Sequence, residues 1–143
     1  MSAHPDCIFC RIVAGDAPAS LVYRDADVVA FLAVPQAARG HVLVVPRAHY
    51  ATCFELPAAL AAPLFGTTLR IARAVNRLYQ PDGMTLAQNN GRAAGQSVFH
   101  VHIHILPRTE GVRVNLHDPK GRSDRGELDG LAEEIAAALE QEG

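Results

Sequence analysis

The chain has 143 residues, a formal net charge of −2, 49 % hydrophobic and 20 % charged residues. That length suits a single domain over residues 1–143, and that balance allows a buried core without disulfide staples. The near-neutral charge excludes bulk nucleic acid and an anionic membrane surface as main partners, since both reward a basic face; a pocket for one phosphate needs only a few aimed donors.

The opening Met1 to Cys10 has no apolar run of signal-peptide length, and no stretch approaches the ~20 apolar residues of a membrane helix, so a cytoplasmic location is expected. Cys7 and Cys10 are separated by two residues, which in a reducing compartment suits metal binding, redox chemistry or two small buried hydrophobes. Cys53 has no partner in the sequence. Cys7 to Val13 predicts a turn and a short helix, broken at Gly15-Asp16-Ala17-Pro18. Leu21 to Arg24 and Val28 to Val34 read as strands joined by Asp25-Ala26-Asp27, and His41 to Val45 as a third that starts after Gly40 and stops at Pro46. From Pro57 to Tyr79 the period becomes helical, with Leu60, Leu64, Thr68, Ile71, Val75 and Leu78 as one apolar stripe; Pro63 marks either the first turn or a kink. Met84 to Ala87 reads as a fourth strand. The polar loop Gln88 to Ser97 feeds a fifth from Val98 to Leu106, closed by Pro107. Residues 109–125 are polar and irregular, and Leu128 to Leu139 reads as a C-terminal amphipathic helix. Strands, a long helix, then strands again predict an antiparallel α+β domain.

Strand side chains alternate faces, so His100, His102 and His104 should share one face and Phe99, Val101, Ile103 and Ile105 the other, packed on the core. Lone histidines such as His4 and His117 are ordinarily incidental, but three on one face are poorly explained by packing. Two chemistries fit. Same-face neighbours ~6.6–7 Å apart can converge on one zinc. Alternatively, a neutral imidazole with a fixed tautomer is a nucleophile that attacks phosphorus. The loop favours the second for His102: the Gly95-Gln96-Ser97 backbone, hydroxyl and amide, with Asn89 from the neighbouring strand end, can hold phosphate oxygens as charge builds on them.

The run His100-Val101-His102-Ile103-His104-Ile105-Leu106-Pro107-Arg108 resembles the histidine-triad (HIT) family signature. The resemblance extends to Asn89-Asn90-Gly91, Ala94 to Phe99, Gly40 to Pro46 and Cys7 to Val13, covering a motif-bearing core at 7–108 ahead of a C-terminal extension at 109–143. It is nearest the Hint-like branch and its bacterial zinc-bearing members. It implies a sheet of about five antiparallel strands with one long helix, a short N-terminal helix and a C-terminal helix, assembled as a homodimer whose sheets join. It also implies hydrolysis or transfer at the α-phosphate of purine nucleotide conjugates through a covalent nucleotidyl-histidine. Carried over by position, His102 is the nucleophile and His104 contacts the bridging atom and protonates the leaving group. Ser97 lies near that group, and His41 sits beside the catalytic ring and orients it. Gln96, Asn89, Gly95 and Val98 hold phosphate oxygens, while Phe9, Phe31 and Val34 flank base and ribose. Many Hint-like members place an aspartate on the ribose hydroxyls where this chain has Ala33; ribose recognition is then expected to be weaker, shifted to backbone or supplied by Asp27.

In zinc-bearing relatives the residues matching Cys7, Cys10, His49 and His100 form the metal site. The resemblance therefore implies a closed structural zinc that pins the N-terminal segment, with no metal needed for the chemistry. The expected ligand is a purine nucleoside monophosphate or its conjugate. Competing readings are a dinucleoside polyphosphate hydrolase of the Fhit-like kind, a purine-nucleotide sensor without turnover, and a zinc hydrolase using all three histidines.

Overall fold

The computed structural model describes residues 4–116 and 124–142. Helix α1 (Ile8–Ala14) starts at Cys7, whose sulfur accepts the Cys10 N–H at 3.3 Å, and stops at Gly15 in the left-handed conformation. Strands β1 (Leu21–Arg24) and β2 (Val28–Leu32) form a hairpin, its turn closed by the Asp25 carboxylate accepting from the N–H groups of Asp27 and Val28 at 2.8 Å each. Strand β3 (Val42–Pro46) follows, then two short 3-10 turns and the long helix α2 (Ala61–Tyr79). Pro63 falls in the first turn of α2, where its missing N–H would have had no helical partner. Strands β4 (Gly83–Ala87) and β5 (Ile103–Arg108) precede helix α3 (Arg125–Leu139), capped by the Asp124 side chain on Glu127 N.

The strands form one antiparallel sheet in the order β1-β2-β3-β5-β4, so the fold is α+β. Alternation divides each central strand between two cores. Val28, Ala30 and Leu32 of β2, Val42 and Val44 of β3, and Ile103 and Ile105 of β5 pack with Leu64, Ile71 and Val75 of α2 and Leu128 and Ile135 of α3. Val29, Phe31, Leu43 and Val45 pack on the opposite face with Phe9 of α1. Both faces of β2 and β3 are therefore covered, which is why these strands read as unbroken apolar runs.

Four readings of the chain need correction. The second strand ends at Leu32, short of Val34, because the chain then turns through Gln36. Leu78 is solvent-exposed, since the buried stripe of α2 drifts onto Ala72 and Ala74. The fifth strand begins at Ile103, not Val98. Val101 N donates to Tyr50 O at 2.7 Å outside the sheet, and Phe99 is exposed on the bend before it. Finally, Pro107 lies inside β5 opposite Met84, tolerated because β3 pairs only with Ile103 to Ile105 and leaves that side free. His117 lies outside the described residues.

Replacing the fully buried Ile71 by Ala should cost about 2–5 kcal/mol, whereas Leu78→Ala should cost within about 0.5 kcal/mol as a surface change. Urea denaturation of the two variants checks both; equal losses would place Leu78 in the core.

Candidate active site and metal cluster

On the α1 face of the sheet lies a cavity of about 510 Å³. Phe31 and Leu43 line it from β2 and β3, Phe9 and Ile12 from α1, and His41, His102 and His104 stand together with Ser97 and Val98. The His102 and His104 rings are 4.9 Å apart, and Phe9 meets His102 edge-on at 5.1 Å.

Hydrogen bonds assign a tautomer to each ring. His102 Nδ1 is 2.7 Å from the carbonyl oxygen of His100. A carbonyl only accepts, so Nδ1 carries the proton and Nε2 keeps its lone pair. His41 Nδ1 accepts from Ala37 N at 3.4 Å, leaving the proton on Nε2, which donates to His104 Nδ1 at 2.9 Å. His104 in turn carries its proton on Nε2. Burial favours the neutral forms throughout. It lowers the His102 pKa, partly opposed by the bond to the His100 carbonyl. Burial and the neighbouring His102 take His104 to about 4; burial with His104 and His102 takes His41 to about 3.

Two glutamines hold the backbone of the loops that flank these rings. Buried Gln36 donates to the carbonyls of Ala33 (2.8 Å) and His41 (2.9 Å) and accepts from Gly40 N (2.9 Å) and His41 N (3.2 Å). Gly40 has φ +91°, and a Cβ there would stand 3.0 Å from the Tyr79 ring, so the approach to His41 needs glycine. Gln96 accepts from Gly91 N at 2.7 Å and donates to Ala51 O and Val98 O at 2.7 and 3.0 Å. Its side chain is thereby committed to the shape of the loop.

Next to the cavity, Cys7, Cys10, His49 and His100 bring one ligand atom each within 4.8 Å of one another. His100 is fully buried. Its Nε2 donates to Pro46 O at 2.8 Å, so the lone pair on Nδ1 faces the sulfurs of Cys7 and Cys10 at 3.4 and 3.6 Å. His49 Nδ1 is 3.3 Å from Cys10 Sγ. Tetrahedral zinc with ordinary Zn–S and Zn–N bonds sets sulfur and nitrogen about 3.5 Å apart. The donor set therefore fits a metal of that kind, with every ligand position taken. His4 stacks on His49 with ring centres 3.9 Å apart.

Of the residues singled out from the sequence, Phe9, Phe31, Val34, His41, Ser97, Val98, His102 and His104 line the cavity. Asn89, Gly95 and Gln96 do not line it. Asn89 lies two residues beyond β4, level with His102 if the pairing of Ala87 with His104 is continued. His41 touches His104, whereas the sequence reading set it to orient the nucleophile itself. Asp27 does not line the cavity: it is exposed in the β1–β2 turn. Sequence reasoning missed Gln36, whose loop lacks any chemical signature, and Arg125, which reaches the cavity from α3.

These features meet the comparisons with known proteins. The HIT domain model matches residues 14–111. The Bacillus subtilis protein named "Protein hit" is 45 % identical over 108 residues, spanning 76 % of this chain and 74 % of that protein. An adenosine 5'-monophosphoramidase of Schizosaccharomyces pombe is 34 % identical over 134 residues, 93 % of this chain and 98 % of that enzyme. Among solved structures, a Zn-bound histidine triad family protein from Mycobacterium smegmatis superposes with a TM-score of 0.82 at 36 % identity, covering 95 % and 94 % of the two chains. With His41, His102 and His104 lining one cavity and the HIT domain match spanning most of its length, the chain belongs to the HIT family.

Proposed function

We propose that the protein hydrolyses or transfers at the α-phosphate of purine nucleotide conjugates, as a nucleoside phosphoramidase, with His102 as the nucleophile. The observation that carries this reading is the bond from His102 Nδ1 to the His100 carbonyl, which leaves Nε2 as a bare lone pair on a cavity-lining ring. The fission yeast relative, named as an adenosine 5'-monophosphoramidase, supports the substrate class.

In this mechanism His102 Nε2 attacks phosphorus while the bond to the leaving nitrogen breaks. His104 presents an Nε2–H toward that nitrogen because His41 supplies the hydrogen bond on its other side. An anionic phosphate beside these rings draws a proton onto the His41–His104 pair, and the departing amine takes that proton. Water then returns a proton to the pair and displaces His102 from phosphorus, releasing the nucleoside monophosphate. Ser97 and the Val98 backbone, on the same wall, hold the phosphate oxygens. The metal of the Cys7, Cys10, His49 and His100 cluster is zinc on this reading, and it supplies structure rather than chemistry. The same reading carries a homodimer joined through a sheet edge, for which β1 and β4 are the outer strands. Among the described residues no helix is long and apolar enough to cross a membrane.

His102→Ala should reduce kcat on adenosine phosphoramidate about a thousandfold or more, while nucleotide affinity is retained and no nucleotidyl adduct is trapped. Parallel kinetics on diadenosine polyphosphates should show the poorer substrate. Near-normal turnover in the variant would remove His102 from the role.

Chelation offers a second check. Activity should decline only as fast as circular dichroism reports loss of structure. Immediate inactivation of a still-folded protein would point to metal-dependent chemistry instead.

The depressed histidines set the pH dependence of stability. A histidine with a folded pKa below its unfolded value near ~6.5 binds its proton preferentially in the unfolded chain. Its contribution is complete above that value and is lost as pH falls toward about 4 and about 3, the values for His104 and His41. The unfolding free energy from urea titrations should hold from neutral pH upward and drop through the acid window, by about 1.4 kcal/mol per pH unit for each ring that must charge. His41→Asn should flatten that slope; an unchanged slope would mean the pair is not buried neutral.

A further inference from the structure

The far wall of the cavity contains one feature that the phosphoryl chemistry does not use. Among the described lining residues there is no carboxylate, and Arg125 is the sole formally charged side chain, the histidines being neutral. Arg125 opens α3 and is held in place. It donates to Ser20 Oγ at 2.7 Å, and that hydroxyl donates to Asp129 at 2.6 Å. Ser20 is buried, whereas Asp129 is exposed and not part of the cavity wall. Among the described residues no carboxylate lies within ion-pair distance of Arg125. A guanidinium has five N–H donors, so a fixed cation with donors to spare stands at this end of the cavity.

Its position relative to the histidines follows from the sheet. Ser20 O accepts from Leu32 N at 3.0 Å, and Ala33 N donates to His41 O at 3.0 Å, while His41 bonds His104. Passing across the strands, the order is Ser20 with Arg125, then Leu32 and Ala33, then His41, then His104. A nucleotide whose 5'-phosphorus sits at His102 must lay its ribose between the two ends, over Ala33. There the wall is a methyl group. It leaves room, adds no negative charge, and offers no acceptor to a sugar diol.

Sites that recognise ribose hydroxyls place a carboxylate on them, and sites that recognise a ribose phosphate place an arginine nearby instead. This wall has the second arrangement. Guanidinium and phosphate match in charge and in the spacing of their donors and acceptors. Building on the nucleotide reading above, we propose that the cavity selects nucleotides that carry a second phosphate on the ribose, at the 2' or 3' position, with Arg125 as the specificity-determining residue.

The test is isothermal titration of the full chain, at one ionic strength, with adenosine 5'-monophosphate, adenosine 2',5'-bisphosphate and adenosine 3',5'-bisphosphate. At least one bisphosphate should bind about tenfold more tightly than the monophosphate, the size of one charge-assisted contact. That gain should vanish in Arg125→Gln and turn into a preference for the monophosphate in Ala33→Asp. Should Arg125→Gln fail to fold, Ala33→Asp alone decides by the direction of its change. A monophosphate that binds as tightly as both bisphosphates overturns the inference and leaves the nucleotide reading standing. A gain that persists in Arg125→Gln also overturns it. Absence of binding by all three ligands would sink the nucleotide reading and this inference together.

Discussion

The hydrogen bond from the His102 ring to the backbone of His100 is the constraint on which the remaining arrangement depends. A neutral imidazole has two tautomers, and only one of them leaves Nε2 free to react. A carbonyl acceptor 2.7 Å from Nδ1 selects that one. The acceptor belongs to a residue that is itself held on several sides. The His100 ring donates to Pro46 O at the end of β3 and turns its other nitrogen to the thiols at the start of α1. The next residue, Val101, donates its N–H to Tyr50 O. The carbonyl that sets the proton on His102 is therefore positioned by β3, by α1 and by the segment after β3 together. The cysteine–histidine cluster and the His102 ring meet at His100, so contacts within the cluster also hold that oxygen in place.

The sheet separates stability from chemistry. Helices α2 and α3 and the inward-facing halves of β2, β3 and β5 make the larger core, whose buried residues are all apolar. The opposite face has a smaller apolar cluster around Phe9, Phe31 and Leu43, and the histidines lie beside it. That apolar surround lowers the pKa values of the rings. The cost of burying polar rings is limited because His41, His100, His102 and His104 each have a hydrogen-bond partner. Burial favours the neutral rings, and the hydrogen bonds decide which nitrogen of each is free.

The sequence shows what periodicity and residue chemistry can show. The unbroken apolar runs Val28 to Leu32 and Val42 to Val45 mark two strands, and the three- and four-residue spacing of Leu64, Ile71 and Val75 marks the long helix. The grouping of three histidines with a pair of cysteines marked the site. What it concealed is of another kind. The partners that set the tautomers are backbone groups of His100, Ala37 and Pro46, and every residue has a carbonyl, so none stands out. Gln36 matters through four bonds to backbone groups in its own loop, which composition does not reveal. Arg125 reaches the cavity from a helix far along the chain, and only the packing of α3 beside β1 brings it there. Asp27 sits in the turn between β1 and β2, outside the cavity wall.

The misread start of β5 has a physical sense of its own. Alternation within a regular strand would place the three histidines on one side, and it would also commit each backbone carbonyl to the ladder between strands. In such a strand the His100 carbonyl would point sideways to a neighbour and be unavailable to the ring two residues on. Here regular pairing begins only at Ile103, and β3 has its last partner there in Val44. His100 and His102 stand just outside the ladder, His102 on the cavity wall and His100 turned to the cysteines, and the His100 carbonyl is free to accept from the His102 ring. The bend that exposes Phe99 is part of the same departure. Joining the ladder only at Ile103 leaves free the acceptor that fixes the His102 proton. His104 stays in the ladder, and it takes its hydrogen bond from a side chain, His41, on the other side of β3's first residue.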